Sequence, residues 1–502
     1  MRAQNSSDLS GRSQPSFFFY DLETSGLSAR RDRIMQFAGI RVDLDLNPLD
    51  QEVNLLIKMT DDILPAPAAL MVTKITPQQT VADGITEAEF CQIFTKEIST
   101  PGTILVGYNN VRFDDEFIRH ALWRNFRDPY QWSWADGRSR WDLLDVVRLT
   151  RALRPDGINW PTVDGKASNR LELLTKENHL PHLHAHDALS DVEATINVAK
   201  MLKTQQPKLF DYLFKMRAKT AVADLVGSGQ PFIYASGRYS ADFDKTTAAV
   251  FFSTTRSGGL VWDLRADPAN FSALIENEIL ANLTADWATR TADGFKALPV
   301  KEICFNKCPA VAPLGTLDAA AAKRLKLDVK IVEKNWHALK HSRDLADKIA
   351  AAWNRRPAFK KSTDVDAQLY DSFAPDADKA KIRAVAAAEP DALADFHPDF
   401  TDARLPELLL RYKARNFPKT LSNVEAKQWE SWRQQKVAAS LPDFAKNWTW
   451  LKAIKDGQTL DLKSDKEKSQ FASLKRRTPP AKIDDYVLEE LKLWAESIAP
   501  DE

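Results

Sequence analysis

Residues Phe17 to Gly26 read FFFYDLETSG, a short unbroken apolar run that closes on two carboxylates and a glycine. An apolar run of this length, bounded by a turn signal, marks a strand buried on both faces. Asp21 and Glu23 are two residues apart, so on a strand both carboxylates leave one face while Leu22 leaves the other. Two carboxylates side by side suit a hard divalent cation, because Mg²⁺ and Mn²⁺ take oxygen ligands and complete their shells with water and phosphate. Such a site needs further acids from elsewhere in the chain. Asp114 follows NNVRF after the apolar stretch TILVGY (Thr103–Tyr108), and Asp191 opens a helical stretch in HDALSDVEAT (His186–Thr195). Asp187 is placed to cap that helix, and His186 falls in the loop leading into it, from which a histidine can swing toward a water on the metal. Taken singly, a D-x-E after an apolar run is a solvated strand end and an Asp beside a helix start is a cap. The ordered set is what makes a site: D-x-E-T-x-G, then N-x-x-F-D, then H-x4-D.

Outward from this strand the pattern alternates. Strands are expected at Gln36–Asp43, Val53–Met59 and Thr103–Tyr108, and helices at Thr86–Ser99, Phe113–Arg124, Asp142–Ala152, Leu171–Asn178 and Ala188–Lys203, which together predict an α/β sheet. The stretch Arg154–Arg170 is dense in Pro, Gly, Asp and Asn and reads as loop. A Gly/Ser break at Val226–Gln230 precedes a change of character. FIYASGRYS, TTAAVFFST, GGLVWDL and KEICFNKCPAVAP read as antiparallel strands, with a helical insertion around Phe271–Leu283. Leu317–Arg356 is helical and rich in Ala, and beyond Pro357 the pattern stays helical to the end, punctuated by prolines.

A chain of 502 residues exceeds what one hydrophobic core organises, so several domains are expected. Lys plus Arg equals Asp plus Glu at 69 each, which excludes a uniformly basic nucleic-acid coat. The balance is a cancellation: residues 1–200 carry 22 Lys/Arg against 28 Asp/Glu, a net of −6, and the rest of the chain carries +6. Polyanion binding is therefore expected mainly outside the first domain, and to be salt-sensitive. Three cysteines, Cys91, Cys304 and Cys308, do not make a disulfide framework and indicate a reducing compartment. The polar stretch Met1–Ser16 is expected to be a disordered leader.

The ordered acid set resembles the DEDDh family of 3′→5′ exonucleases, whose fold is ribonuclease H-like. Further stretches are similar to the bacterial exodeoxyribonuclease I family: GYNNVRFDDE (107–116), DPYQWSW (128–134), SRWDLLDV (139–146), ALRPDGINWP (152–161), NKCP (306–309), VDAQLY (365–370) and YKARNFP (412–418). The resemblance covers nearly the whole chain. It implies an α/β architecture of three parts: a ribonuclease H-like exonuclease domain at 17–204, a small SH3-like β-rich domain with helical insertions at 205–357, and an α-helical C-terminal domain at 358–502.

The activity it implies is metal-dependent hydrolysis of single-stranded DNA from the 3′ end, releasing 5′-mononucleotides, in DNA repair and recombination. The implied cofactor is Mg²⁺, two ions per site, with Mn²⁺ as a substitute. In that scheme Asp21 bridges both ions, Glu23 and Asp191 complete the site of one, Asp114 helps hold the other, and His186 is the general base. A zinc site built from His179, His182, His184 and His186 is the rival reading. With no cysteine near and a proline in the loop, His186 is read as the base and the other three as surface residues. Glu23, Thr24 and Gly26 are expected beside the terminal nucleotide, and Asn110 and Arg112 toward the substrate. Arg415 lies in RYKARNFPK (411–419), which reads either as a DNA-binding patch of cations and aromatics or as a solvated helix end.

The family also implies a partner, the acidic tail of single-stranded-DNA-binding protein. Arg154 and Tyr212 are candidates for its pocket, with plain packing the open alternative. A cytoplasmic monomer associated with the nucleoid during repair is expected. Two other functions compete: an RNA-trimming DEDDh exonuclease, against which the two extra domains argue, and a non-catalytic single-strand-binding scaffold, against which the complete acid set argues.

Overall fold

The computed structural model describes residues 14–182 and 187–500. Residues 1–13 of the expected leader, and the histidines His184 and His186, lie outside the described residues, while Ser16 already opens the first strand.

The first domain is a five-stranded sheet with helices on both faces. Its strands are β1 (Ser16–Thr24), β2 (Ile34–Val42), β3 (Val53–Leu56), β4 (Thr103–Gly107) and β5 (Ser139–Asp142). Its helices are α1 (Pro67–Thr73), α2 (Pro77–Asp83), α3 (Glu87–Ile93), α4 (Asp114–Arg124), α5 (Leu143–Leu153), α6 (Leu171–Glu177) and α7 (Ala188–Gln205). The spatial order is β3-β2-β1-β4-β5, antiparallel from β3 to β1 and parallel from β1 to β5. The loop expected at 154–170 carries a small hairpin of β6 (Thr162–Val163) and β7 (Lys166–Ala167).

β1 is central and covered on both faces, which is why it reads as a continuous apolar run. Phe17 and Phe19 join Trp141 and the apolar face of α7, whereas Phe18, Tyr20 and Leu22 meet Phe37, Phe90, Phe94 and Phe117 on the other side. The strand period of two then carries Asp21 and Glu23 out on the α7 side. Trp141 is held edge-on by Phe210 and Phe214 of α8 (Pro207–Lys215), at centroid distances of 5.0 and 5.2 Å. Truncating so enclosed a ring costs roughly 3–5 kcal/mol.

After α9 (Lys219–Gly227), which stops at the Gly/Ser break, comes an antiparallel sheet in the order β11-β10-β9-β8-β12. Its strands are β8 (Phe232–Ala235), β9 (Thr246–Thr254), β10 (Gly258–Asp263), β11 (Val300–Cys304) and β12 (Val311–Pro313). Gly258 is required there, since a Cβ would stand 2.0 Å from the Ile303 carbonyl oxygen across the β10–β11 pair. Helices α10 (Glu276–Thr284) and α11 (Trp287–Thr291) form the insertion, and α12 (Ala319–Arg324), α13 (Val329–His341) and α14 (Arg343–Asn354) follow.

The last domain is helical: α15 (Asp376–Ala387), α16 (Leu405–Asn416), the 33-residue α17 (Asn423–Lys455), α18 (Asp465–Arg477) and α19 (Asp485–Ile498). It docks on the first domain. Met35, Met59, Leu70 and Met71 form one core with Val437, Leu451, Leu488 and Leu491, and the Trp494 indole donates to the Ile63 carbonyl at 2.9 Å. Among the described residues no helix is long and apolar enough to cross a membrane.

Candidate active site

β1 and its parallel neighbour β4 end on the same edge of the sheet, and α4 begins just beyond β4 at Asp114. Open α/β sheets place their sites outside such carboxyl ends. α7 starts over the same edge, capped by the Asp187 carboxylate, which accepts from the Ser190 amide at 3.0 Å. Asp191 thus sits in the first turn of α7, facing β1. One oxygen from each of Asp21, Glu23 and Asp191 lies within 4.8 Å of the others.

The electrostatics are those of uncompensated acid. Burial raises the Asp21 carboxyl well above its usual range, and the neighbouring charges of Asp114, Glu23 and Asp191 raise it further. Glu23 is raised likewise, by burial and then by Asp191, Asp114 and Asp187. Burial pushes Asp114 up to about 8. Carboxylates this close shed their protons readily only beside a counter-charge, and an all-oxygen set of this kind fits a hard divalent cation. Asp21, Glu23, Asp191 and Asp114 are the residues that would hold it.

Beside Asp21 and Asp191 opens a cavity of about 670 Å³ whose walls carry Arg148 of α5, Lys166 and Arg170 from the β6–β7 hairpin region, and Lys245 from the second domain. These four cations were not singled out from the sequence. Their signal was the loop Arg154–Arg170, which lies between two elements of the site and returns two cations to it.

The structure departs from several expectations. His182, expected at the surface, has a side chain only 6% exposed, and its Nε2 lies 2.6 Å from Asp191 Oδ1. Arg415, expected to meet DNA, is 5% exposed and locked between Asp366 and Asp62 at 2.6 and 2.9 Å. Its charge is already spent on two buried acids. Arg112 binds Asp145 at 2.7 Å and Asp142 at 3.6 Å, and so braces the start of α5. Asn110 is fully buried, with its amide toward the Tyr20 hydroxyl and Asp115. Asp115 accepts from Tyr20 and is paired with Arg140, whose Nη2 reaches the Asn306 carbonyl at 2.7 Å. This network ties the floor of the site to the second domain.

Thr24 donates to the Gly26 carbonyl at 2.8 Å. A Cβ on Gly26 would stand 2.3 Å from the Asp32 carboxylate, which accepts from the Ser28 amide at 2.8 Å, so the close approach that needs this glycine is to Asp32. Arg154 is bonded to Asp318 at 3.2 Å and to the Thr316 carbonyl at 3.1 Å, and Tyr212 is half-buried against the core. Cys91, Cys304 and Cys308 are free.

Three family models match the chain in succession: Exonuclease at residues 18–199, Exonuclease I SH3-like domain at 217–355, and Exonuclease I C-terminal domain at 363–478. Exodeoxyribonuclease I of Haemophilus influenzae is 40% identical over 435 residues, covering 86% of this chain and 92% of the relative. That of Escherichia coli is also 40% identical, over 85% of this chain and 90% of the relative. Among solved structures, E. coli exonuclease I in complex with a dA16 oligonucleotide superposes with a TM-score of 0.87 at 37% identity, over 97% of this chain and 100% of that one. Exonuclease I of Methylocaldum szegediense gives 0.85 at 39%, with the same coverage. With its acid cluster at the edge of the first sheet and all three domains matched in order, the chain belongs to the exodeoxyribonuclease I family.

Proposed function

We propose that this chain degrades single-stranded DNA from the 3′ end, releasing 5′-mononucleotides, with two Mg²⁺ ions held by Asp21, Glu23, Asp114 and Asp191. The observation that carries this reading is the acid cluster of Asp21, Glu23 and Asp191 opening directly into a cavity walled by cations. Divalent cations bound among these oxygens supply charge stabilisation for the attacking and leaving oxygens of phosphodiester hydrolysis.

The chain's own residues supply the rest. Arg148, Lys166, Arg170 and Lys245 draw the phosphate backbone into the cavity and orient it, a task for which cations in a recess are suited. Thr24 and Gly26 keep the loop after β1 tight beside the terminal nucleotide. His186, outside the described residues but five positions before Asp191, takes the proton of the attacking water. Elsewhere on the surface Trp134 is 66% exposed and Phe373 72% exposed, and the half-buried Tyr130 lies 5.7 Å from Phe373. Exposed rings offer platforms on which unpaired bases stack, which duplex bases are not free to do. The solved complexes of E. coli exonuclease I with oligonucleotides support single-stranded DNA as the substrate class. Arg154 and Tyr212 remain our candidates for the acidic tail of single-stranded-DNA-binding protein, whose carboxylates would displace Asp318 from Arg154.

The test uses 5′-labelled single-stranded DNA, duplex DNA and RNA with Mg²⁺. A ladder shortening from the 3′ end on single-stranded DNA is expected. Equal rates on RNA would favour the RNA-trimming reading, and tight binding without hydrolysis would favour a scaffold.

A further inference from the structure

We propose that His182 is a positioning residue for Asp191: it holds one carboxylate oxygen and so keeps the carboxylate turned toward Asp21 and Glu23. The inference rests on the reading of the acid cluster as a metal site. The imidazole is enclosed and bridges two helices. Nε2 lies 2.6 Å from Asp191 Oδ1 on α7, and Nδ1 lies 3.0 Å from Thr175 Oγ1 on α6. Thr175 is itself buried, with its hydroxyl 3.0 Å from the Leu171 carbonyl and 3.2 Å from that of Glu172. An ionised carboxylate only accepts, so Nε2 carries the hydrogen whichever partner the Thr175 hydroxyl chooses.

This restraint answers a specific need. Asp191 faces Glu23 and Asp21 with its side chain still 17% exposed, so like-charge repulsion favours rotamers that turn it away. A donor fixed at both ring nitrogens removes that freedom, and such outer partners govern metal affinity by about 10- to 100-fold. His182 is nine residues before Asp191, and its place is separate from that of His186 in the H-x4-D motif.

The test compares full-length wild type with His182→Leu and His182→Gln, reading Mn²⁺ binding without DNA by electron paramagnetic resonance, alongside kcat and KM on a short oligonucleotide. The glutamine amide can offer a donor to the same oxygen. We expect His182→Leu to weaken Mn²⁺ binding about 10- to 100-fold while KM for DNA stays within about threefold, and His182→Gln to keep affinity within about threefold of wild type. Should the leucine variant fail to fold, His182→Asn, whose amide is too short to reach Asp191, carries the same expectation. Wild-type Mn²⁺ affinity in the leucine or asparagine variant overturns the positioning role alone. A glutamine variant as impaired as leucine also overturns it, in favour of direct action by the ring. Absence of Mn²⁺ binding by wild type overturns the metal site itself.

Discussion

Glu23 and Asp114 are buried and Asp21 half-buried among other acids, whereas Asp62 and Asp366, also buried, sit among four cations. In the second group Arg415 binds both acids, Arg33 lies 3.2 Å from Asp366, Arg411 lies 3.4 Å from Asp366, and Lys436 lies 2.6 Å from Asp62. Burial alone would raise Asp62 and Asp366, yet Arg415 and its neighbours hold both well below the usual range. In the first group burial and like charges act in the same direction, upward. Desolvation is common to the two sites, so burial does not distinguish a functional acid from a structural one; the sign of the surrounding charge does. The paired cluster is a clasp: it joins the loop after β1, through Arg33, and Asp62 of the first domain to Asp366, α16 and α17 of the last.

The largest contrast comes from neutralising one acid in each group. Asp21→Asn is expected to lower hydrolysis by about 10³-fold or more, because on the proposed reading it removes a carboxylate that both ions share. The same change should leave the metal-free melting temperature unchanged or higher, since it relieves repulsion. Asp366→Asn should do the reverse. Leaving Arg415 and Arg33 buried without their partner costs about 3–5 kcal/mol, read as a fall in melting temperature and denaturant midpoint, with cleavage per folded molecule retained in the cold. Equal stability losses in the two variants would erase the distinction.

The two clusters also differed in how far the sequence disclosed them. D-x-E at a strand end is local, and strand periodicity alone puts Asp21 and Glu23 on one face. Asp114 and Asp191 are distant, but each lies beside a helix start that the sequence announces. The clasp has no such signature: Arg415 finds Asp62 353 positions away, and from RYKARNFPK alone its guanidinium reads as a free cation. His182 was misread for the same reason, because its contact with Asp191 is made across a loop and not along an element. β5, only four residues of which Arg140 and Asp142 are charged, becomes a strand because β4 pairs with it in parallel and Trp141 is buried beneath α8. Helices α1 and α2, seven residues each and begun by prolines, owe their helicity to the C-terminal domain packed on them.

Opposite electrostatics predict opposite pH dependence. In metal-free protein, acids whose folded pKa is raised favour the folded state when protonated. Their contribution is full below the ordinary carboxylate range and is lost as pH rises toward about 8, where Asp114 ionises. Stability in a chelator should therefore fall by about 1–3 kcal/mol between pH 5 and pH 8, and added Mn²⁺ should abolish the slope. Asp62 and Asp366 act the other way, with stability present above the ordinary carboxylate range and lost as pH falls through their depressed values. Melting curves at each pH for wild type, Asp114→Asn and Asp366→Asn separate the two. A slope in chelator that survives Asp114→Asn unchanged would remove the acid cluster as its cause.

The smallest effect is expected inside the clasp, at Lys436. Its ammonium touches Asp62, yet burial, outweighing Asp62, and repulsion from Arg33 and Arg415 bring it down to about 8. It is the surplus cation of a group already neutralised by three arginines. A lysine whose folded pKa lies below its unfolded value costs stability while charged, and that cost lifts as pH rises through 8 toward the unfolded value of 10.5. Lys436→Met is therefore expected to change stability by less than about 1 kcal/mol at pH 7. Wild type should gain on the variant between pH 8 and pH 10. A loss at Lys436 as large as that at Asp366 would mean that the clasp needs every one of its cations, and that its balance, unlike that of the acid cluster, has no slack.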